Sequence, residues 1–112
     1  MTYTKKRTMV FIETKLFTQL SKEYLNDDEY GKLQQHIMKN PEIGKIIRGS
    51  GGVRKVRWAR EGMGKSGGIR TIYYWAKARD QVYMLTMYSK SEKENIDKKT
   101  LAQIAKELEV MK

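Results

Sequence analysis

The first forty residues combine one short apolar run with two stretches of helical periodicity. Residues 9–13 (MVFIE) are short, apolar and β-prone, which predicts a strand. Apolar residues then recur every three or four positions, at Leu16, Phe17, Leu20 and Tyr24. This period predicts an amphipathic helix over 15–25, with Thr14 as its N-cap.

A second helix is predicted directly after the first. Asn26 and Glu29 have the N-x-x-E spacing of a capping box, which marks a helix start. Its apolar stripe consists of Tyr30, Leu33, Ile37 and Met38. Asn40-Pro41 ends the helix, because proline disfavours helical backbone in the residue before it. The linker between the two helices is short, so we expect a helical hairpin.

After the glycine-rich segment 49–52 (GSGG), the period of the pattern changes from helical to extended. Segments 53–59, 69–76 and 82–89 are β-prone, and the last two are apolar on both faces, as central strands are. Residues 61–68 are predicted to be a loop and 77–81 a turn. Asp97 is predicted to cap a last helix. The apolar stripe of that helix consists of Leu101, Ile104, Ala105 and Leu108.

The predicted element order is therefore β-α-α-β-β-β-α, which indicates an α+β fold. We expect a small, mostly antiparallel sheet in which 53–89 forms a meander and the N-terminal helical hairpin packs on one face. A length of 112 residues fits a single domain over 1–112, with 1–8 as a flexible tail. No apolar run approaches the roughly 18 residues that span a bilayer, and the N-terminus lacks the features of a secretory signal, so no membrane partner is expected.

The positive charge of the chain is concentrated in its middle third. The net charge is +10, and residues 41–79 contain ten cations against two acids, whereas 80–112 contain six of each. A localised basic field is expected of a protein whose partner is a polyanion such as a nucleic acid. General solubility is the alternative, but solubility does not require the charge to be concentrated in one third.

Several familiar catalytic patterns are absent or misplaced. GMGKSG (62–67) matches G-x-G-x-x-G, but it lies between two predicted strands instead of a strand and a helix, so we interpret it as a hairpin loop. The single histidine, His36, lies in a predicted helix, where a structural or solvated role is expected. The acids Asp27, Asp28 and Glu29 cluster at a helix start, where they favour the macrodipole. No cysteine is present, which excludes disulfides and thiolate metal sites and fits a reducing cytoplasm. No metal site and no cofactor are therefore predicted.

The remaining chemistry is cationic. Lys55 and Arg57 lie two apart on one predicted strand, so their side chains share a face, with Cα atoms roughly 6–7 Å apart. In a meander, Arg70 at the start of the next strand comes close to Tyr88 and Lys90 at the end of the last. Such a site can align the 2′-hydroxyl of RNA with the adjacent phosphate and stabilise the developing charge without histidine or metal.

The chain resembles the RelE/ParE toxin superfamily, most closely the HigB-like branch of RelE-type mRNA interferases, over roughly residues 9–109. The resemblance rests on the element order and on the segments NPEIGKIIRGSGGVRKVRWA, GKSGGIRTIYYW and VYMLTMYSKSEKENI. It implies a type II toxin–antitoxin module whose toxin is a hydrolase that binds RNA and inhibits translation. The reaction would be metal-independent cleavage of mRNA in the ribosomal A site, with contacts to 16S rRNA and a 2′,3′-cyclic phosphate as product. It also implies a cognate helix-turn-helix antitoxin and a toxin that is monomeric alone.

The resemblance also implies roles for individual residues. Lys55 and Arg57 match the paired basic positions of the family, one of which activates the 2′-hydroxyl. Arg70 matches the arginine that stabilises phosphorane charge, and Lys90 the basic residue near the scissile phosphate. The tyrosine of some family members falls near Ile96 in this chain, so Tyr88 is the candidate substitute and the assignment of general acid and base stays open.

Further cations are candidates for RNA contact, namely Arg54, Arg60 and Lys65. For Arg54 and Arg60, solvated charges at a strand end are the alternative. Two other functions stay open: a ParE-like toxin that inhibits gyrase, and a non-catalytic nucleic-acid-binding module. The complete cationic set argues against the first, and the second predicts salt-dependent binding without cleavage.

Overall fold

A computed structural model of the protein describes residues 9–59, 68–90 and 95–111. The helices are α1 (Lys15–Tyr24), α2 (Asp27–Lys39) and α3 (Lys98–Met111), and a short 3-10 helix covers Lys77–Arg79. The strands are β1 (Val10–Glu13), β2 (Lys45–Ile46), β3 (Arg54–Trp58), β4 (Ile69–Ala76) and β5 (Gln81–Ser89). The predicted α+β fold is confirmed, and β2 is an addition of two residues to the predicted order.

The five strands form one sheet in the order β1-β5-β4-β3-β2. β3, β4 and β5 are the predicted antiparallel meander, and β2 extends it antiparallel to the first two residues of β3. β1 joins the other side of β5 in parallel. β4 and β5 are thus the central strands, which explains why both are apolar on two faces. Because β2 pairs only with Arg54 and Lys55, the second half of β3 has no further strand beside it among the described residues.

The helices begin where their capping residues predict. The Thr14 side chain accepts a hydrogen bond from the Phe17 backbone N–H at 3.0 Å. Asn26 and Glu29 form the complete capping box, with the Asn26 side chain accepting from the Glu29 N–H at 2.8 Å and the Glu29 carboxylate accepting from the Asn26 N–H at 3.2 Å. Asp97 accepts from the Thr100 N–H at 2.7 Å at the start of α3. Each cap satisfies amide donors that the first helical turn leaves open.

The sheet separates two apolar clusters. On one face, Phe17, Leu33 and Ile37 from the helical hairpin pack against Tyr73 and Met84 of the central strands. The predicted packing of the N-terminal hairpin on one face is therefore confirmed. The other face is covered by α3, whose Ile104 and Leu108 pack against the sheet residues Val53, Ile72, Tyr83, Leu85 and Tyr88. Alternate residues of β3 and β4 consequently face the hairpin or α3, whereas in β5 the alternation shifts by one residue at an irregularity in its pairing with β4.

Two predictions on local structure concern segments outside the described residues, namely the tail over 1–8 and most of the loop over 61–68. No helix in the described part of the chain is long and apolar enough to cross a membrane. The single-domain interpretation of 1–112 stays a prediction.

Candidate nucleic-acid site

The register of the meander places three candidate residues in one row across the sheet. Arg57 of β3 lies opposite Arg70 of β4, and Arg70 lies opposite Tyr88 of β5. Residues directly opposite one another in antiparallel strands point to the same face, with Cα atoms about 4.5–5.5 Å apart. Lys55 lies two residues before Arg57 and therefore shares this face. The predicted proximity of Arg70 to Tyr88 and to the second half of β3 is confirmed.

An open cleft of about 620 Å³ lies at this end of the sheet. We call it the basic cleft; its lining residues are His36, Ile43, Lys45, Lys55, Val56, Arg57, Arg70, Lys90 and Asn95. A hollow of about 140 Å³ adjoins it and shares Arg57, Arg70 and Lys90 with it. Four of the five residues predicted to be catalytic, Lys55, Arg57, Arg70 and Lys90, therefore line one continuous concave surface.

Among the residues that the structure describes, the cations of the basic cleft have few protein partners. Lys55 Nζ donates to Asn95 Oδ1 at 3.2 Å, and the Lys90 backbone N–H donates to the Gly68 carbonyl at 3.1 Å. Arg70 is only 7% exposed, yet no carboxylate from the described part of the chain pairs with it. Burying a charge without an ion pair is costly, so a buried guanidinium of this kind favours an anionic ligand.

Tyr88 lies beneath the basic cleft and not in its lining. The residue is 3% exposed and its hydroxyl oxygen is buried. Burial raises the pKa of the Tyr88 phenol, and the Arg70 guanidinium and the backbone of Ile96 lower it in part. The phenol is therefore neutral at physiological pH and lies next to the guanidinium of Arg70.

Arg54 has different surroundings from the cations of the cleft. Its side chain points to the hairpin face of the sheet and donates to the carbonyl oxygens of Glu42 and Gly44 at 3.1 and 2.8 Å. The Glu42 carboxylate lies 3.7 Å from the same guanidinium, whose side chain is 16% exposed. Arg54 is thus hydrogen-bonded to the loop before β2. The alternative interpretation of Arg54 as a solvated charge at a strand end is therefore wrong. Its predicted contact with RNA stays a prediction.

Tyr73 holds the same loop from within the core. Its hydroxyl donates to the Pro41 carbonyl at 2.8 Å and accepts from the Gly44 N–H at 2.9 Å. Burial raises the pKa of Tyr73, and the Gly44 N–H and the nearby Arg54 lower it in part. We call Pro41–Lys45, Arg54 and Tyr73 the loop clamp. It presents Ile43 and Lys45 to the basic cleft, which gives the N-P-E-I-G segment a structural role.

Five lining residues of the basic cleft were not among the sequence-based candidates, namely His36, Ile43, Lys45, Val56 and Asn95. Two of them come from elements outside the sheet and the loop clamp. His36 reaches it from α2, and its ring lies 5.4 Å from that of Trp58 at an angle of 53°. Asn95 reaches it from the segment before α3 and contacts Lys55. Nothing in the sequence marks either residue, because both are brought to the cleft by packing between distant elements. Arg60 and Lys65, predicted to contact RNA, lie outside the described residues.

Among the described residues, no three histidine, cysteine or acidic side chains come together in a way that would hold a metal ion. What the described site does offer is positive charge. Several cations surround a cleft to which no described acid contributes a lining side chain.

Comparison with known proteins gives a family and a fold. The model of a family described as the RelE toxin of the RelE/RelB toxin–antitoxin system matches residues 6–112. An E. coli RelE toxin with two arginines mutated to alanine, in the free state, is 12% identical, with a TM-score of 0.59 over 89% of this chain and 97% of that one. The toxin–antitoxin complex RelBE of E. coli matches at 15% identity, with a TM-score of 0.56 over 73% of this chain and 96% of the matched one. At these identities the two structures establish similarity of fold.

Proposed function

Because the chain belongs to the RelE toxin family, we propose that it is a ribosome-dependent mRNA endoribonuclease. Membership of this family makes it the toxin of a toxin–antitoxin pair. We assign it to the HigB-like branch on the sequence segments that resemble that branch. Its proposed substrate is mRNA in the ribosomal A site, its proposed inhibitor a helix-turn-helix antitoxin, and its proposed location the cytoplasm. The proposed reaction is metal-independent cleavage of an RNA phosphodiester, and its effect is to inhibit translation.

One observation carries the proposal: Lys55, Arg57, Arg70 and Lys90 line one cleft that no described carboxylate lines. A phosphodiester carries one negative charge, and this charge increases on the reacting phosphoryl oxygens in the transition state. Cations fixed in advance around those oxygens stabilise the transition state more than the ground state, which is the condition for catalysis.

In the proposed reaction, the 2′-oxygen of a ribose attacks the adjacent phosphorus and the bond from phosphorus to the 5′-oxygen breaks. The products are a 2′,3′-cyclic phosphate and a 5′-hydroxyl. The 2′-hydroxyl proton leaves to a base and the departing 5′-oxygen gains a proton, so the step needs no water or redox partner. Lys55 and Arg57, which share one face of β3, are the proposed contacts of the 2′-hydroxyl and the phosphate.

We assign Arg70 the role of binding the non-bridging phosphoryl oxygens, because it is the most buried cation of the cleft. Lys90, at the exposed end of β5, is the proposed contact nearest the leaving oxygen. Tyr88 is assigned a positioning role through Arg70, because its hydroxyl is buried and its pKa is raised. A neutral phenol beneath the guanidinium limits the directions in which Arg70 can point.

The ribosome is the proposed source of substrate alignment. The basic cleft is open, and cations alone hold an RNA strand without fixing the 2′-oxygen in line with the leaving oxygen. Alignment of this kind is a large part of the barrier in phosphoryl chemistry. We therefore expect efficient cleavage only where a larger partner holds the mRNA.

The test is mRNA integrity in a bacterial translation extract, with naked RNA as the substrate control. Arg70→Ala is expected to reduce cleavage about 100- to 1,000-fold, the range for loss of one group that stabilises charge in a transition state. Arg79→Ala is the matched control: it removes one positive charge from an exposed residue at the opposite end of β4. It is expected to cleave like the wild type.

Cleavage within codons of translated mRNA, with naked RNA intact, supports the proposal. If translated mRNA stays intact, the proposal fails. Inhibition of purified gyrase would then favour the ParE-like alternative, and salt-dependent RNA binding without cleavage would favour the non-catalytic one.

A further inference from the structure

The second half of β3 presents cationic and apolar side chains to opposite faces of the sheet. Arg57 faces the basic cleft with Arg70, whereas Val56 and Trp58 face the helical hairpin. β2 does not extend beside these residues. The basic cleft therefore continues around β3, from Arg57 and Arg70 to Val56 and His36 on the hairpin side.

His36 and Trp58 form an aromatic pair where the basic cleft meets α2. Their ring centroids lie 5.4 Å apart and the rings are tilted by 53°. Both side chains are half-buried, and Trp58 lines the hollow that also contains Arg57 and Arg70. Trp58 packs against the hairpin core and supports the imidazole of His36 from one side. His36 also lines the basic cleft.

The aromatic pair and the cations meet in the basic cleft. His36, Arg57 and Arg70 line the same cleft of about 620 Å³, and Trp58 follows Arg57 directly in β3. In a nucleotide, one sugar separates the phosphate from the base. A phosphate bound by Arg57 and Arg70 therefore leaves its base in the cleft that His36 also lines.

From this geometry we propose that His36, supported by Trp58, is a nucleobase-binding subsite of the basic cleft. It holds the base of a nucleotide next to the phosphate bound by Arg57 and Arg70. Proteins that bind single-stranded RNA combine cationic grooves for the backbone with aromatic rings on which bases stack. The inference rests on the proposed function for its ligand class, single-stranded RNA, and it adds a contact to the base that the cations cannot supply.

The subsite has a chemical consequence for specificity. Stacking on an aromatic ring is tolerant of sequence, because every base has a π face. His36 is therefore expected to tighten binding of RNA in general and to give at most a modest preference among bases. Any strong codon preference of the toxin would come from elsewhere.

The test uses 2′-O-methyl RNA pentanucleotides, which the proposed reaction cannot cleave, and a matched pentanucleotide in which every base is replaced by hydrogen. Binding is followed by NMR through the ring signals of His36 and the indole signal of Trp58. His36→Ala is expected to weaken binding of the base-containing RNA about five- to fifty-fold and to leave binding of the abasic RNA unchanged. His36→Phe keeps a ring and is expected to bind within about threefold of the wild type.

Gln35→Ala is the matched control, because Gln35 is the exposed neighbour of His36 on the same helix. Arg70→Ala is expected to weaken binding of both RNAs, since it removes a phosphate contact. The inference is overturned if His36→Ala weakens both RNAs equally or neither of them. It is also overturned if the His36 and Trp58 signals do not respond to RNA, or if wild type binds the abasic RNA as tightly.

The failure of the proposed function is distinguishable from failure of this inference. If His36→Ala loses base-dependent binding but the wild type leaves mRNA intact in the translation extract, only the endoribonuclease proposal fails. The nucleobase-binding subsite would still stand. Cleavage in the extract by a His36→Ala variant that also binds RNA normally would remove only the subsite.

Discussion

Arg54 and Arg70 come from the same basic middle third of the chain, but they belong to two regions with different chemistry. In the loop clamp, Arg54 donates to two backbone carbonyls and lies beside the Glu42 carboxylate. In the basic cleft, Arg70 is more deeply buried and has no described carboxylate partner. The difference shows that two arginines from the same basic region have different surroundings, which fit a structural role for Arg54 and the proposed phosphate contact for Arg70.

The cations that β3 contributes to the two regions point to opposite faces of this strand. Arg54 points to the hairpin side of β3, where the loop before β2 offers acceptors, whereas Lys55 and Arg57 point to the side of the cleft. Alternation along the strand therefore sorts neighbouring cations into structural and candidate functional groups. Three changes sharpen or break this comparison.

The largest expected effect on stability is in the loop clamp, from Gly44→Ala. A Cβ atom at Gly44 would lie 2.8 and 2.9 Å from Cε1 and the hydroxyl oxygen of Tyr73, and 3.0 Å from the Lys55 carbonyl oxygen. Tyr73 is fully buried and hydrogen-bonded, so it cannot move aside easily. We expect the free energy of unfolding to fall by about 2–3 kcal/mol, as for overpacked cores, measured by urea denaturation.

Gly31→Ala is the control for this change, because no atom lies within 4 Å of a Cβ built at Gly31. It is expected to keep or raise stability, since alanine favours the interior of α2. Equal loss of stability in both variants would show that the close approach at Gly44 is unimportant.

The next effect separates the two arginines directly. Arg54→Met removes hydrogen bonds from a charged donor to the loop, so we expect the free energy of unfolding to fall by about 1–2 kcal/mol. Arg70→Met replaces a buried cation without a described acidic partner by an apolar chain, so we expect unchanged or higher stability. Both are measured by urea denaturation, beside cleavage in the translation extract.

In that extract, the order of the two variants is expected to reverse. Arg70→Met loses cleavage and Arg54→Met largely keeps it at temperatures where it is folded. A destabilised Arg70→Met protein would contradict the comparison, because Arg70 would then have a structural role like that of Arg54.

The smallest effect on the free energy of unfolding is expected only in alkaline solution. It comes from two buried tyrosines, Tyr73 in the loop clamp and Tyr88 beneath the basic cleft. Burial raises the pKa of both Tyr73 and Tyr88. Above about pH 10, tyrosines ionise in the unfolded chain while these two stay neutral in the folded protein, so the unfolded state binds fewer protons. The free energy of unfolding is therefore expected to be independent of these groups below about pH 10 and to fall above it.

Each of the variants Tyr73→Phe and Tyr88→Phe is expected to make this alkaline decline shallower, by at most about 1.4 kcal/mol per pH unit. Urea denaturation between pH 8 and 11.5 measures the slope. An unchanged slope in Tyr88→Phe would show that the phenol beneath Arg70 titrates normally, which would weaken its proposed positioning role.

Much of the fold could be predicted from the sequence, because helix caps and strand boundaries depend on interactions between residues close together in the chain. The caps at Thr14, Asn26 and Asp97 lie within three residues of the amides that they satisfy. β4 has the predicted bounds of 69–76, because its β-prone residues are bracketed by glycine and a turn. β2 was missed because two residues leave no detectable period, and the strand exists only through its pairing with β3.

Part of the candidate site was predictable for the same reason. Lys55 and Arg57 share a face by strand geometry, and meander connectivity brings Arg70 opposite Arg57. The membership of His36 and Asn95 in the basic cleft was not predictable, because α2 and the segment before α3 reach it from positions distant in sequence. The burial of the Tyr88 hydroxyl likewise depends on how α3 covers the sheet.

The sequence by itself determined the order of the elements other than β2, the helix caps, the central position of β4 and β5, and the concentration of cations in the middle third. These features follow from local backbone preferences and from the periods of helix and strand, which require no knowledge of distant contacts. Tertiary structure decided which cations have protein partners and which face an open cleft. Packing between elements far apart in the chain decides whether an arginine hydrogen-bonds to a carbonyl or lines an open cleft. That packing distinguishes Arg54 from Arg70.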